Sequence, residues 1–585
     1  MSGESSKDSR LYRIRHSAAH VLAQAMLERF PEAKIAIGPP IEDGFYYDFD
    51  LPEPISEDDL AAIEKRMKEI IRGNHAFSVR EITPEEARQL FKDQPYKLEL
   101  IDDLLAEPDS RLTVYTQDTF TDLCRGPHVA NTSEIHPDAV SITFKPPAGA
   151  YWRGDEKNKQ LTRIYGTAWE TPTELEEYLH LLEEVKRRDH RRIGPELELF
   201  YFDQTAPGMP YWMPRGLRVI NKLIDFWRVE HEKVGYQEIS TPLVNKRELY
   251  DTSGHWDYYR DDMFIFNADE HNTFCLKPMN CPNAMVAFNF RTRSYRELPL
   301  RLSDCDILHR NERSGTLHGL LRAQRFQQDD AHIFVAEDQI EAEYDNVFAL
   351  IKRFYSIFGI DYRLSLSTRP EKFLGELELW EKAEAMLARI LDNYVGKGQY
   401  DIEPEEGAFY GPKVDIHMKD ALGRSWQMGT IQLDFQLPRR FNCTYIDREG
   451  RQQYPAVIHR VIYGSLERFL GILIEHTAGA LPLWLAPEQA RIIPITDRHV
   501  EYANAVRDRL RSAGIHADVD TSSERMGAKI RSAQLYKVPY MLIVGDREMQ
   551  ADAVSVRLRS EEDLGARPVA AVIERMQTEI ADKRM

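Results

Sequence analysis

One segment divides this 585-residue chain. Thr171-Pro172-Thr173-Glu174 supplies a helix cap, a proline at the first helical position and a glutamate at the third, which together satisfy and polarise a first turn. Glu174, Glu176 and Glu177 open the segment and Lys186, Arg187, Arg188, Arg191 and Arg192 close it, the charge order that complements a helix dipole. Leu175, Leu179, Leu182 and Lys186 share a stripe too thin for a core helix. The pattern predicts one long exposed helix over 171–192, read as a connector (171–194) between a domain at 1–170 and the next.

At roughly 150 residues per domain the length suggests about three to five domains, and 42% hydrophobic with 29% charged residues gives material for large cores, which excludes global disorder. No run reaches the ~18 apolar residues of a spanning helix. The start Met1-Ser2-Gly3-Glu4-Ser5-Ser6-Lys7-Asp8 has no apolar segment of a secretory signal. Five cysteines (Cys124, Cys275, Cys281, Cys305, Cys443) are too few for a disulfide scaffold and fit a reducing cytoplasm. The formal charge of −19 argues against coating nucleic acid by bulk charge. Its position matters more: residues 481–585 hold 16 basic and 16 acidic residues, so the whole excess lies upstream. Within that tail Arg525, Lys529, Arg531, Lys537, Arg547, Arg557 and Arg559 form a candidate polyanion face, for which a solvated surface is the common alternative.

Residues 11–170 mix helical periodicity (Leu60–Arg72) with strand-like runs (Leu112–Tyr115, Ala139–Phe144). Residues 195–480 alternate helices (Gly216–Val234, Ala336–Phe358, Gly375–Leu391) with strands (Tyr362–Ser367, Val414–His417, Thr430–Phe435) and lack a glycine-rich phosphate loop, which points to a mostly antiparallel sheet with helices. The last hundred residues alternate strand and helix from Ala490 to Lys583, which predicts a small α/β domain with a largely parallel sheet.

Three constellations carry chemistry. His16 and His20, four apart on a helix, face one way, and Cys124-Arg125-Gly126-Pro127-His128 repeats the spacing in a segment that Gly126-Pro127 keeps from being helical. The four side chains make a zinc site or, without metal, a polar pocket that orients water, with Asp122 nearby. Between Leu302 and Val335 a strand, a polar glycine-containing loop and a return strand carry Arg310 and Arg322, able to clamp phosphate in a planar, bidentate way or simply to be solvated. From His459 to Phe469 a strand meets a helix beginning near Gly464, so Arg468 lies on its first turn, where a buried guanidinium needs an anion.

These residues resemble a known family. His309-Arg310-Asn311-Glu312, Ser314–Leu320, Gln328–Phe334 and Gly464–Phe469 are similar to motifs 2 and 3 of class II aminoacyl-tRNA synthetases, within them the threonyl-tRNA synthetases, and Gly235–Pro242 resembles motif 1. Thr252–Trp256, Lys277–Pro282, Ala408–Lys413 and Gly429–Phe435 add to a resemblance running from about residue 11 to the C-terminus.

The resemblance implies an α+β multidomain chain: an editing domain at 1–170, an antiparallel-sheet catalytic domain at 195–482 and an α/β anticodon-binding domain at 483–585. It implies ATP-dependent activation of threonine, transfer to tRNA and hydrolysis of mischarged seryl-tRNA. Arg310 would hold the α-phosphate and carboxylate, Arg322 and Arg468 the other phosphates with Mg²⁺, and Glu312 the nucleotide. Gln432, Gln328, Tyr410 and Lys413 would line the pocket, and His255 is a base or relay for transfer, or an ordinary pocket histidine. The family's zinc ligands map to Cys281, His332 and His459, whose separations form no local signature, and Asp330 would accept a hydrogen bond from the threonine hydroxyl. The editing site would use His16, His20, Cys124 and His128 with Lys97, Tyr47 and Asp122, preferably without metal. Glu548, Arg557 and Arg547 match anticodon-reading positions. A cytoplasmic homodimer is implied. Two departures stand out: His16 comes too early for the ubiquitin-like domain common in the family, and the usual Asn-Cys-Pro-Gly-His reads Asn280-Cys281-Pro282-Asn283-Ala284, without its histidine.

Overall fold

The computed structural model describes residues 9–107, 111–269 and 272–584, so Met1–Asp8 lies outside it. The chain divides into two compact units, 1–184 and 185–585.

In the first unit the helix Arg10–Arg29 is buried continuously from Ile14 to Met26, as a central helix must be. It packs among the helix Glu57–Arg72 and the strands Gly44–Asp50 and Gln160–Ala168. An antiparallel sheet runs Lys34–Ile35, Gly44–Asp50, Gln160–Ala168, Val140–Ser141, and a separate one joins Ser78–Glu81, Thr113–Gln117 and Phe120–Leu123. The strand expected over Ala139–Phe144 shrinks to Val140–Ser141, because the amides of Ile142 and Thr143 turn to the Glu64 carboxylate (2.8 and 3.2 Å) rather than to a neighbouring strand.

The connector helix begins as its sequence predicts: the Thr171 hydroxyl accepts from the Glu174 amide and the Glu174 carboxylate from the Thr171 amide (3.3 and 3.1 Å). It does not continue to residue 192. It ends in Pro172–Arg188, and Asp189 accepts from the Arg191 amide at 2.8 Å to start a second helix, His190–Glu196, in which His190, Ile193 and Gly194 are buried. The end of the expected connector, from Asp189 on, is therefore packed into the core through these residues rather than exposed.

The large sheet of the second unit places Arg325–Val335, Ala456–Ser465, Ser425–Asp434, Lys413–Lys419 and Tyr362–Ser367 side by side, all antiparallel. Alternation along these strands separates two faces. Ile333, Val335, Ile458, Ile462, Ile431, Leu433, Val414 and Ile416 join the main core with the helices Pro214–Lys233, Ile340–Ile357 and Leu466–Thr477. The polar alternates face a cavity.

Downstream, Ala517–Val519, Ala490–Pro494 and Tyr540–Val544 are parallel, but Ala553–Leu558 and Asp563–Pro568 pair antiparallel. The largely parallel expectation fails at this edge because the link from Val544 to Ala553 carries just the short helix Asp546–Gln550. A parallel crossover needs a dozen residues or more.

Candidate functional site

Sheet register builds the first site. His332 lies opposite His459, His459 opposite Gln432 and Gln432 opposite Lys413, so four candidate residues stand in one row across four neighbouring strands. Above them is a cavity of about 1000 Å³, lined by Lys413, Gln432 and His459 of this row and by His255, Cys281, Arg310, Glu312, Arg322, Gln328, Asp330, Tyr410 and Arg468. Cys281 enters from the start of the helix Cys281–Phe288. One ligand atom from each of Cys281, His332 and His459 lies within 4.8 Å of the others, so residues separated by long stretches of chain converge. His459 Nε2–H donates to Asp434 Oδ2 at 2.9 Å, while His459 Nδ1 and both nitrogens of His332 are buried without a partner among the described residues. Orphaned imidazole nitrogens beside a thiol, with a carboxylate orienting one ring from behind, fit a zinc ion.

Beside this cluster Asn280 donates to Asp330 (3.1 Å), the Tyr410 hydroxyl donates to Gln432 (2.7 Å), and Lys413 pairs with Asp415 (2.6 Å). The Asn283 side-chain NH2 donates to half-buried Asn245 at 2.9 Å while its Oδ1 has no partner among the described residues, and Ala284 is buried. On the same cavity wall Arg310 lies over Phe326 and Tyr259 (5.0 and 5.7 Å) and donates Nε–H to Pro278 O. Arg468 Nε is buried without a partner, and neither arginine is paired with a carboxylate among the described residues. Arg322 and Glu312 pair with each other at 2.8 Å, so a nucleotide engaging either must compete with that bond. His255 is buried, donates Nδ1–H at 2.8 Å to Ser253 Oγ, whose own hydroxyl donates to Tyr250 O, and packs on Phe409; burial, aided by His459, Arg310 and Arg440, pushes its pKa down to about 3, so it is neutral near pH 7.

The second site gathers His16, His20, Cys124 and His128, again within 4.8 Å. One placement of protons satisfies most of it. The Val129 amide donates to Ser17 Oγ, whose hydroxyl donates to His128 Nδ1 (3.1 and 3.0 Å). His128 Nε2–H then donates to Cys124 Sγ, the thiol donates to His16 Nε2 (both 3.3 Å), and His16 Nδ1–H donates to Pro127 O at 3.1 Å. Burial pushes the Cys124 thiol up to about 12 and lowers His16, His20 and His128, so the set is neutral. Behind it Asp122 receives the Tyr47 hydroxyl (2.6 Å) and the Lys97 ammonium (2.5 Å), with His20 Nε2 3.8 Å away. All seven expected residues meet here.

In the C-terminal region Glu548 is engaged internally, accepting from the Gly545 amide and the Ser555 hydroxyl (3.0 and 2.9 Å). Arg557 follows Ser555 on the same strand face, its Nε unpartnered among the described residues, and Arg547 is exposed. The basic face is narrower than its sequence: Lys529 donates to Asp520 O (3.0 Å), and Arg559 to the carbonyls of Leu481 and Lys537 (both 2.9 Å).

Sequence reasoning assigns no role to Asp434, Asp415, Asn280 or Ser17. Asp434 and Asp415 follow Gln432 and Lys413 by two, the strand period that returns a side chain to the same face, and that spacing is the signal that could have found them.

Residues 264–477 match the tRNA synthetase class II core domain (G, H, P, S and T), residues 489–579 an anticodon binding domain, and residues 112–165 the threonyl and alanyl tRNA synthetase second additional domain. Sheet and cavity thus define a class II aminoacyl-tRNA synthetase. The chain is 48% identical over 98% of its length to a threonine–tRNA ligase of Symbiobacterium thermophilum, covering 87% of that protein, and 49% identical over 97% of its length to one from Natranaerobius thermophilus, covering 88%. A crystal structure described as the RNA binding domain of threonyl-tRNA synthetase from Cryptosporidium parvum Iowa II matches with TM-score 0.65 and 42% identity, over 67% of this chain and 98% of that one. The chain belongs to the threonine–tRNA ligase family.

Proposed function

We propose that this chain activates threonine with ATP, transfers it to tRNA(Thr) and hydrolyses mischarged seryl-tRNA(Thr). The observation that carries the first activity is that one cavity is lined both by Cys281 and His459 of the Cys281/His332/His459 cluster and by Arg310 and Arg468, guanidiniums with no carboxylate partner among the described residues. Attack of the threonine carboxylate on the α-phosphate brings two anions together, so the work of the protein is positioning and charge neutralisation. Arg310 bridges carboxylate and α-phosphate, Arg468 and Arg322 hold the remaining phosphates of ATP, which arrives with Mg²⁺, and Glu312 holds the nucleotide. Gln432, Gln328, Tyr410 and Lys413 fix the amino acid, and neutral His255 takes part in proton movement during transfer.

Cys281, His332 and His459 would hold zinc, which leaves open positions for the amino and hydroxyl groups of threonine. Asp330 accepts from that hydroxyl. Valine lacks the oxygen and leaves buried polar groups unpaired, whereas serine loses one methyl, worth about 1–3 kcal/mol. Serine therefore has to be removed after charging. His16, His20, Cys124 and His128, with Lys97, Tyr47 and Asp122, form a neutral polar pocket suited to orienting water at the ester.

Glu548, Arg557 and Arg547 are our candidates for reading anticodon bases. We take the active form to be a cytoplasmic homodimer. Leu217 and Val229 on the helix preceding the motif 1 strand are 46% and 51% exposed, which supports the dimer, and all five cysteines are free. No helix among the described residues is long and apolar enough to cross a membrane.

Threonine-dependent ATP–pyrophosphate exchange tests the reading. Exchange with threonine and serine but not valine is expected, and no exchange with threonine overturns it.

A further inference from the structure

A third buried cluster lies behind a wall of the first cavity. His190, fully buried, accepts the Leu320 amide on Nε2 at 2.9 Å and donates Nδ1–H to Glu475 Oε1 at 2.6 Å. Asp189, His190 and Glu475 are close enough to suggest a metal, but both ring nitrogens are already used, so no lone pair is left for an ion. The polar chain continues: Glu475 pairs with Arg424, Arg424 with Asp420 (2.6 Å), and Asp420 receives the indole N–H of Trp426 (2.9 Å). Trp426 and the 316–322 segment form adjoining walls of the cavity, and Arg468 stands 5.8 Å from the Trp426 ring.

The contact with the loop is close on every side. Gly319 has φ +55°, and a Cβ there would meet His190 Nε2 at 2.3 Å; a Cβ on Gly471 would meet Leu321 and Leu320 at 3.1 and 3.2 Å. Leu320 and Leu321 are buried, and the His318 amide donates to Arg322 O at 3.2 Å, which closes the turn and sets the start of the Arg322 side chain. His190 thus sits beneath the tip of the turn that carries Arg322.

We propose that His190 is a positioning residue for the nucleotide end of the cavity: by holding the Gly319–Leu321 turn, and Trp426 through Glu475 and Arg424, it places Arg322 and Arg468 for the phosphates of ATP. It rests on the reading of the cavity as the ATP and threonine site. His190 also begins the helix that follows the connector. It joins that helix by one hydrogen bond to the Leu320 amide of the cavity wall and by another to Glu475.

The test is pyrophosphate exchange by the full-length chain, with KM for ATP, KM for threonine and kcat measured separately. His190→Asn keeps a donor for Glu475 and loses the acceptor for Leu320, whereas His190→Gln keeps an acceptor at the Nε2 position. His190→Asn should raise KM for ATP roughly tenfold, the scale of one buried hydrogen bond with its partner left unsatisfied. KM for threonine should stay within about twofold, which also reports that the fold is intact, and His190→Gln should recover most of the ATP affinity. Gly319→Ala, which drives a methyl group into the same contact, should give the same selective rise. An unchanged KM for ATP in His190→Asn, a parallel rise for threonine, or equal defects in the Asn and Gln variants overturns the role of His190. Failure of the unmutated chain to exchange pyrophosphate with threonine overturns the ligase reading itself, and this inference with it.

Discussion

At Cys281, His332 and His459, three buried imidazole nitrogens have no partner among the described residues, whereas around Cys124 a single run of donors and acceptors passes from the Val129 amide through Ser17, His128, Cys124 and His16 to Pro127 O. Both groups consist of cysteine and histidine, and both are compact enough for a metal. What separates them is the state of their lone pairs. A buried ring nitrogen without a partner carries a desolvation cost of about 1–3 kcal/mol that an ion can remove. In the second cluster the orphan is His20 Nδ1, among the described residues, whereas His16, Cys124 and His128 are already bonded to one another, so an ion entering there must first break those bonds and take the proton from a thiol pushed up to about 12. The first cluster offers unpaired ring nitrogens to a cation, while most of the second holds its own protons.

The comparison breaks most visibly at the metal. Purified chain should contain one zinc per subunit, measured by atomic emission, and Cys281→Ala should lose it together with threonine activation. The loss should exceed about a hundredfold, since even outer partners of a metal ligand are worth about 10–100-fold. Two zinc ions per subunit would place the Cys124 cluster in the same class as the Cys281 cluster. Next in size, His16→Ala combined with Cys124→Ala should slow hydrolysis of seryl-tRNA by about 10²–10⁴, the usual worth of positioned acid–base groups, with threonine exchange unchanged. Undiminished deacylation in that variant would remove the editing assignment.

How much of this contrast is visible in the sequence depends on the distance over which each cluster is assembled. His16 and His20 share a helix face, and Cys124 and His128 a short loop, so local spacing alone exposes them. Cys281, His332 and His459 meet through strand register across the large sheet, which no spacing encodes, and only family resemblance reaches them from sequence. The same division runs through the fold. Apolar alternation marks Tyr362–Ser367 to the residue, while the break at Asp189 escapes it, because the chain there turns inward to bury His190 against Glu475, a residue on a distant helix. Likewise Lys529 and Arg559 count as surface charge in the sequence, although in the fold both donate to backbone carbonyls. Periodicity reports which face of an element is apolar; it does not report what lies opposite.

A finer test concerns the tautomer within the satisfied cluster. Ser17 is fully buried, and its hydroxyl is what allows His128 to present Nε2–H, rather than a lone pair, to Cys124. Ser17→Ala should slow seryl-tRNA hydrolysis by roughly tenfold, the loss of about one buried hydrogen bond with a ring nitrogen left unpaired. Ser17→Thr, which keeps the hydroxyl, should recover part of the rate. Threonine activation should not respond to either. A tenfold loss in both variants would mean that the space around Ser17, and not its proton, is what the site requires.

The smallest effect is a dependence on pH that should be nearly absent. An imidazole at its ordinary value near 6.5 is half protonated at pH 6.5. A group whose pKa is lowered in the folded chain keeps its lone pair to lower pH, and burial lowers His16, His20 and His128, with the neighbouring rings lowering His20 and His128 further. A thiol pushed up to about 12 stays protonated throughout the neutral range. No member of the cluster should therefore change charge between pH 7.5 and 6.5, and single-turnover deacylation, corrected for uncatalysed hydrolysis, should fall by less than about twofold over that interval. Were a bound metal holding Cys124 as thiolate, the thiol would have left this neutral set and protons would compete for the ligands as the pH fell. A larger fall, accompanied by release of zinc, would thus erase the distinction between the two clusters; a flat profile without zinc keeps hydrolysis on a network whose protons are fixed by Ser17 and Pro127.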